Sequence, residues 1–111
     1  MKTIIAAFNA EDERQQTVYG PYTDSDAARE NLAAVVRNFA DAILAKEAEQ
    51  CRFENVECKY MPYDEKAYPI DPVDQYESLE FNGCTQQLFY VPYPDVGARM
   101  VFCVCQIAQI P

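Results

Sequence analysis

The sequence predicts a single α+β domain in which an antiparallel sheet of about five strands packs with one long and one short helix, in the order β-β-α-β-α-β-β. Three observations indicate this class. One long segment carries apolar residues at helical spacing, several short apolar runs end at turn residues, and 111 residues are enough for one domain, 1–111. Half of the residues are hydrophobic and 24% are charged, which is not the composition of a disordered acidic tail.

The N-terminal region predicts a hairpin. Residues 3–8 are apolar with weak alternation, and residues 16–19 form a second short run that ends at Gly20 and Pro21. We expect these two runs to pair as strands, joined by a loop of about five residues at 10–14.

A helix is predicted from about Asp24 to Glu47. Thr23 or Asp24 can cap its first turn, and acids follow near the positive end of the helix dipole. An apolar stripe recurs at steps of three and four residues: Ala28, Leu32, Val35, Val36, Phe39 and Ile43. A single apolar stripe indicates that this helix packs against one surface of a sheet.

The middle of the chain predicts a strand and a connection. Residues 51–60 contain aromatic and apolar residues that alternate imperfectly, and a β-bulge near Asn55 restores the phase. Residues 61–71 are rich in proline and tyrosine, and we expect them to form a connection.

A short second helix is predicted after this connection. Asp71 is placed as its cap and Pro72 as its first residue, and Asn82 and Gly83 mark its end.

The C-terminal region predicts a second hairpin. Its strands are residues 85–92 and 98–109, joined by a turn at 94–97 in which Gly97 tolerates positive φ. Residues 100–105 are apolar on both faces, so we expect this strand to be central and covered on both sides.

The charge excludes several classes of partner. The net charge is −9, and residues 41–81 carry eleven acids and four bases. This balance disfavours direct binding to nucleic acid or to anionic membranes, because both are polyanions. No apolar run approaches the roughly 20 residues of a membrane span. The apolar stretch at 3–8 is short for a secretory signal, and five cysteines cannot all pair within one chain, so we expect a reducing cytoplasm.

The sequence lacks the residues that most enzymes use. There is no histidine, there are two serines, and the three glycines are too far apart for a phosphate-binding loop. Carboxylate pairs are expected by chance among 18 acids. We therefore expect no catalytic residues, no enzymatic activity and no cofactor.

The cysteines allow an alternative, a metal-binding protein. Cys103 and Cys105 lie on one face of a predicted strand, but a structural zinc site needs four ligands. Cys51, Cys58 and Cys84 lack the usual paired spacing. We expect Cys103 and Cys105 to be core residues and assign no metal site.

The acidic middle of the chain also contains tyrosines and prolines. Carboxylates attract a basic partner, tyrosines provide rigid contact area, and prolines reduce the entropy lost on binding. This combination predicts a binding surface for a basic protein, with nucleic-acid-binding machinery as the expected partner and inhibition by nucleic-acid mimicry as the mechanism. The predicted partner-binding residues are Glu54, Glu57, Tyr63, Asp64, Glu65, Tyr68, Asp71, Asp74, Tyr76, Glu77 and Glu80. The simpler interpretation is that these acids only solvate the surface.

This general profile, a short acidic domain without catalytic residues, looks like that of phage and mobile-element inhibitors of nucleic-acid-binding machinery, including the anti-CRISPR type. The likeness is one of type and identifies no site residue. A further alternative is a small homodimer or adaptor subunit whose apolar interface is the C-terminal hairpin, with Phe89, Tyr90, Tyr93 and Phe102.

Overall fold

The computed structural model describes residues 2–73 and 85–107 and has the predicted α+β class. A five-stranded antiparallel sheet packs with one long and one short helix. The order of elements differs in detail from the prediction, because both of the helices in the described residues precede the third strand. The elements are β1 (Lys2–Asn9), β2 (Asp12–Tyr22), α1 (Ser25–Glu30), α2 (Leu32–Phe53), β3 (Asp71–Val73), β4 (Thr85–Tyr93), a 3-10 turn (Pro94–Val96) and β5 (Ala98–Ile107).

The strands lie in the order β2-β1-β5-β4-β3, so that β5 is in the centre of the sheet. Its neighbours are β1, where Ala6 pairs with Cys103, and β4, where Phe89 pairs with Phe102. Residues 100–105 are almost entirely inaccessible to solvent. This confirms the prediction of a central strand that is covered on both faces.

Both helices contribute to the main core on one face of the sheet. The apolar stripe of the helices meets Ile5 and Ala7 of β1 and the alternate residues of β4 and β5. The rings of Phe39 on α2 and Phe102 on β5 meet edge to face, with centroids 5.8 Å apart. The predicted helix stripe is therefore the core-facing stripe, as the 3.6-residue period requires.

The first hairpin has a tighter turn than predicted. Residues 12–14 belong to β2, and the turn is limited to positions 10 and 11. The buried Asn9 holds it, since its Oδ1 accepts hydrogen bonds from the backbone N–H of Glu11 (3.0 Å) and Arg99 (3.1 Å). An asparagine side chain that bonds the backbone two residues later shortens the loop.

The long helix begins where predicted but is interrupted. The carboxylate of Asp24 accepts a hydrogen bond from the backbone N–H of Ala27 (2.8 Å), which confirms Asp24 as the N-cap. The helix is broken at Asn31, where Nδ2 donates to the carbonyl of Ala27 (2.8 Å). Asparagine side chains compete in this way for helix carbonyls, which explains why α1 and α2 are separate elements.

The predicted strand at 51–60 is wrong. Residues 51–53 are the last turn of α2, and residues 56–60 have no regular structure. Asn55 takes a left-handed conformation (φ 58°), and the N–H of Val56 donates to the carbonyl of Cys51 (2.9 Å). The N–H of Asn55 donates to the carbonyl of Arg52 (3.1 Å). These two bonds form a Schellman motif, which ends the helix where the sequence suggested a bulge.

The predicted helix start at Asp71 and Pro72 is also wrong. Residues 71–73 form the edge strand β3, in which Asp71 pairs with Tyr90 and Pro72 with Phe89. Proline is tolerated at the edge of a sheet, because an edge strand leaves some N–H groups unpaired. The rest of that predicted helix, up to Gly83, lies outside the described residues.

The C-terminal hairpin and its turn are confirmed. β4 and β5 pair as predicted, residues 108–109 lie outside the described part, and Gly97 adopts φ 67° while donating its N–H to the carbonyl of Pro94 (3.0 Å). None of the described helices has both the length and the apolarity needed to cross a membrane.

Candidate acidic docking surface

The connection that follows α2 runs back along the helix. The Schellman turn reverses the chain, so that the Cys58 thiol lies close enough to Cys51 to raise its pKa. Further along, Arg37 Nη2 lies 2.7 Å from Glu65 Oε1. Residues 54–65 therefore run back beside α2 from its last turn towards Arg37, although they contain no helix or strand.

Two tyrosine rings, the buried Tyr93 and the half-buried Tyr63, anchor this connection. The hydroxyl of Tyr93 donates to the carbonyl of Met61 (2.8 Å), and the backbone N–H of Met61 donates to the carboxylate of Asp95. The ring of Tyr63 meets the ring of Tyr93 with centroids 5.6 Å apart, and its hydroxyl donates to the carbonyl of Tyr68. These contacts fix residues 61–68 against the end of β4.

Both anchoring phenols are held in the neutral form. Burial, assisted by the carboxylates of Glu65 and Asp64, raises the pKa of Tyr63 to about 12. Burial and the carboxylate of Asp95 also raise the pKa of Tyr93. A phenol that is kept neutral remains a hydrogen-bond donor throughout the physiological pH range.

Acids cluster at the C-terminal end of α2. We call this surface the acidic end of α2 and define it by four carboxylates, of which Glu47 is half-buried and the other three are exposed: Glu47, Glu49, Glu54 and Glu57. The negative charge of Glu47, followed by the Cys51 thiol, burial, Cys58 and Glu54, raises the pKa of Tyr60. Glu47 and Glu54 therefore lie close enough to act on the same phenol, which is itself exposed.

Large apolar side chains are exposed among these acids. Phe53 is 86% exposed, Met61 67% and Val56 53%. Single exposed apolar residues are common, but three within nine positions of the chain form a local group that is typical of a binding surface.

Few of the acids in this region are neutralised. Among the described acids between positions 41 and 71, Glu65 is the one with an ion-pair partner. Four basic residues lie in the same stretch, and none of them forms an ion pair with a described acid there: Lys46, Arg52, Lys59 and Lys66. The other ion pairs in the described part of the chain are distant in sequence: Asp12–Arg14 at 3.1 Å, Asp26–Arg29 and Glu11–Arg99.

A shallow groove borders the acidic end of α2. It lies between the start of β2 and the last turns of α2, and both signs of charge line it. The cations are Arg14 and Lys46, and the anions are Asp12, Glu47 and Glu49. The β2 side of the groove is therefore less negative than the acidic end of α2.

The predicted partner-binding residues have different environments. Five of those described are exposed: Glu54, Glu57, Asp64, Tyr68 and Asp71. Tyr63 and Glu65 are half-buried and already make contacts within the chain. The ring of Tyr63 packs against Tyr93, and the carboxylate of Glu65 pairs with Arg37. Asp71 is separated from the acidic end of α2, since it belongs to the edge strand β3. The other predicted residues lie outside the described part of the chain: Asp74, Tyr76, Glu77 and Glu80.

Sequence reasoning missed part of this surface. Three residues of this region were not predicted as contact residues. Glu47 was placed at the end of the predicted helix, Phe53 in the predicted strand and Met61 in the connection. Asn55 is the residue that could have indicated the end of the helix, since asparagine is one of the few residues that favours the left-handed position after a helix.

The two cysteines of β5 are core residues, as predicted. Cys103 and Cys105 are fully buried in an apolar cluster with Ile4, Ala6 and Leu88, on the face of the sheet opposite the main core. Within residues 2–73 and 85–107, no three cysteine or acidic side chains are grouped as they would need to be to hold a metal ion.

The C-terminal hairpin does not expose the predicted apolar interface. Phe89, Tyr93 and Phe102 are buried in the main core of the chain, and Tyr90 is half-buried. These rings are therefore already covered within the chain itself.

Comparisons of the chain with protein-family models, with curated proteins and with solved structures give no match.

Proposed function

We propose that this protein is a non-enzymatic acidic binding protein whose acidic end of α2 docks on a basic surface of a partner that ordinarily binds nucleic acid. One observation carries the proposal. The negative charges of Glu47 and Glu54, neither of which has an ion-pair partner among the described residues, both act on the exposed Tyr60. Phe53, Val56 and Met61 are exposed in the same stretch of the chain.

Helix stability does not account for this placement of acids. Glu54 is the C-cap of α2, and Glu57 follows three residues later. The C-terminus of a helix carries partial negative charge, so that an acid there costs about 0.3–1 kcal/mol. Arg52 in the last turn offsets part of this cost. The retention of uncompensated acids at this end favours a role in binding.

The mixture of residue types supports a protein as the partner. Lysine and arginine side chains that hold phosphates also pair with carboxylates, so a surface of acids substitutes for a nucleic-acid backbone. Aromatic and aliphatic groups such as Phe53 and Val56 gain free energy when a protein surface covers them. The net charge of −9 adds long-range attraction to a basic partner.

A capture experiment with matched charge variants tests the proposal. The wild-type protein is immobilised and exposed to a lysate of its native cell, and bound proteins are identified by mass spectrometry. The test variant is Glu54→Lys with Glu57→Lys. Because a lysine near the end of a helix interacts favourably with the dipole, we expect this variant to fold.

The control variant, Asp26→Lys with Glu30→Lys, makes the same change in net charge on α1. The proposal predicts that the wild type and the control capture nucleic-acid-binding proteins that added duplex DNA displaces, and that the test variant loses them. Equal capture by both variants, or capture that excess DNA does not reduce, contradicts the proposal.

A further inference from the structure

The Schellman turn at the end of α2 brings two cysteines together. Cys51 lies in the last turn of the helix and is 8% exposed, whereas Cys58 lies in the connection and is exposed. The Cys58 thiol lies close enough to Cys51 to raise its pKa. The two thiols therefore approach each other across a loop of six intervening residues.

The backbone holds the two cysteines near each other without help from the sulfur atoms. The hydrogen bond from Val56 N–H to the carbonyl of Cys51 (2.9 Å) and the left-handed Asn55 define the reversal of the chain. A disulfide requires its two Cβ atoms to lie within about 3.5–4.5 Å. Because this turn already brings the chain back to Cys51, we expect the bond to need little movement of the backbone.

The two thiols differ in accessibility. Burial, and then the neighbouring Cys58 thiol and the carboxylates of Glu54 and Glu47, raises the pKa of Cys51. A thiol must lose its proton before it attacks a disulfide. The exposed Cys58 is therefore the group that a small oxidant reaches first.

We propose that Cys51 and Cys58 are a redox-active pair that closes as an intramolecular disulfide by exchange with a low-molecular-weight disulfide. In the first step, the Cys58 thiolate attacks one sulfur of the small disulfide, forms a mixed disulfide and releases one small thiol. In the second step, the Cys51 thiolate attacks Cys58 Sγ, which forms the internal S–S bond and releases the second small thiol. The two cysteines are oxidised, and the small disulfide is reduced to two thiols.

The bond would close a ring that contains Glu54 and Glu57. It would hold both carboxylates in place relative to α2, so that the acidic surface becomes more rigid in the oxidised state. The proposal depends on the contact between the two thiols and is independent of the proposed function.

Tryptic mapping after equilibration in glutathione buffers tests this pair directly. Cleavage after Lys46, Arg52 and Lys59 places the two cysteines in separate peptides, residues 47–52 and 53–59. Cys84 falls in residues 67–99, and both cysteines of β5 fall in residues 100–111. Each possible disulfide between these regions therefore gives a different linked product.

The proposal predicts that oxidised glutathione converts the wild type to a species in which peptides 47–52 and 53–59 are linked, and that dithiothreitol reverses this. The oxidised form should melt about 5–10 °C above the reduced form, because the ring restricts the unfolded chain. Cys58→Ser alters an exposed side chain, so it should fold normally and lose both the link and the shift.

Two results would overturn the proposal. One is a glutathione adduct that persists on Cys58 without forming the internal bond. The other is a link from either peptide to residues 67–99. Since the linked peptides are detected in the wild-type protein, poor folding of a variant would not hide either result.

Discussion

At the scale of single residues, Gly20 meets a backbone requirement that no other residue type meets easily. Its φ is +117°, and a Cβ added there would lie 3.1 Å from the ring of Tyr22 and 3.3 Å from the carbonyl oxygen of Thr3. Both neighbours belong to the pairing of β1 with β2. The glycine therefore allows β2 to continue past position 20, where the sequence suggested that the strand ends.

Substitution of Gly20 by alanine should destabilise the protein by about 2 kcal/mol or more, since strain and a close contact add together. Gly97→Ala is the matched control. Its φ is +67°, and no atom lies within 4 Å of the added Cβ, so we expect a loss of about 1 kcal/mol. Urea unfolding of both variants measures the difference. Equal losses would contradict the steric role of Tyr22 and Thr3.

Tyr63, which anchors the connection after α2, makes the free energy of unfolding depend on pH. Its pKa is raised from 10 to about 12, so above pH 10 the unfolded chain releases a proton that the folded chain retains. The stabilisation from this phenol is complete below pH 10 and is lost as the pH rises towards 12. Unfolding in urea at several alkaline pH values, for the wild type and Tyr63→Phe, measures this effect. We expect the free energy of unfolding to fall more steeply with pH in the wild type, and identical slopes would contradict the role of Tyr63.

At the scale of elements, the sequence predicts the features that depend on the burial of apolar residues. It misses the helix ends and breaks that depend on local hydrogen bonds. The stripe of α2 and the central position of β5 follow from apolar periodicity, and both are confirmed. The break at Asn31 and the helix end at Asn55 depend on an amide side chain and a left-handed residue. Neither changes the apolar pattern, so periodicity does not reveal them.

The edge strand β3 illustrates a different reason for an error. Asp71 followed by Pro72 is a good local signal for a helix start. Pairing with β4 nevertheless places both residues in the sheet. Tertiary contacts override local propensity here, because the sheet gains backbone hydrogen bonds along β4.

The end of α2 provides a prediction at this scale. Asn55 occupies the left-handed position of the Schellman motif, where glycine is favoured and alanine is strained. We therefore expect Asn55→Gly to be as stable as the wild type or slightly more stable. Asn55→Ala should lose about 1 kcal/mol in urea unfolding. A stable alanine variant together with a destabilised glycine variant would show that the motif does not limit the helix.

At the scale of the whole molecule, the sequence predicted the amount of charge better than its location. The excess of acids in residues 41–81 can be counted directly. Which acids share a surface depends on the reversal after Val56, which places the connection beside α2. After that reversal, Glu47 and Glu54 both act on Tyr60. Asp71 lies on β3, at the edge of the sheet opposite β2, whose start borders the end of α2.

The most direct test of the central claim is the affinity of the purified protein for its captured partner at several salt concentrations. The account predicts that the dissociation constant of the wild type rises steeply from about 50 to 500 mM NaCl, because screening weakens charge pairs. Glu54→Lys with Glu57→Lys should bind at least about tenfold more weakly at low salt and with a smaller salt dependence, while Asp26→Lys with Glu30→Lys should resemble the wild type. A wild-type affinity that is the same at low and high salt would contradict docking through the acidic end of α2.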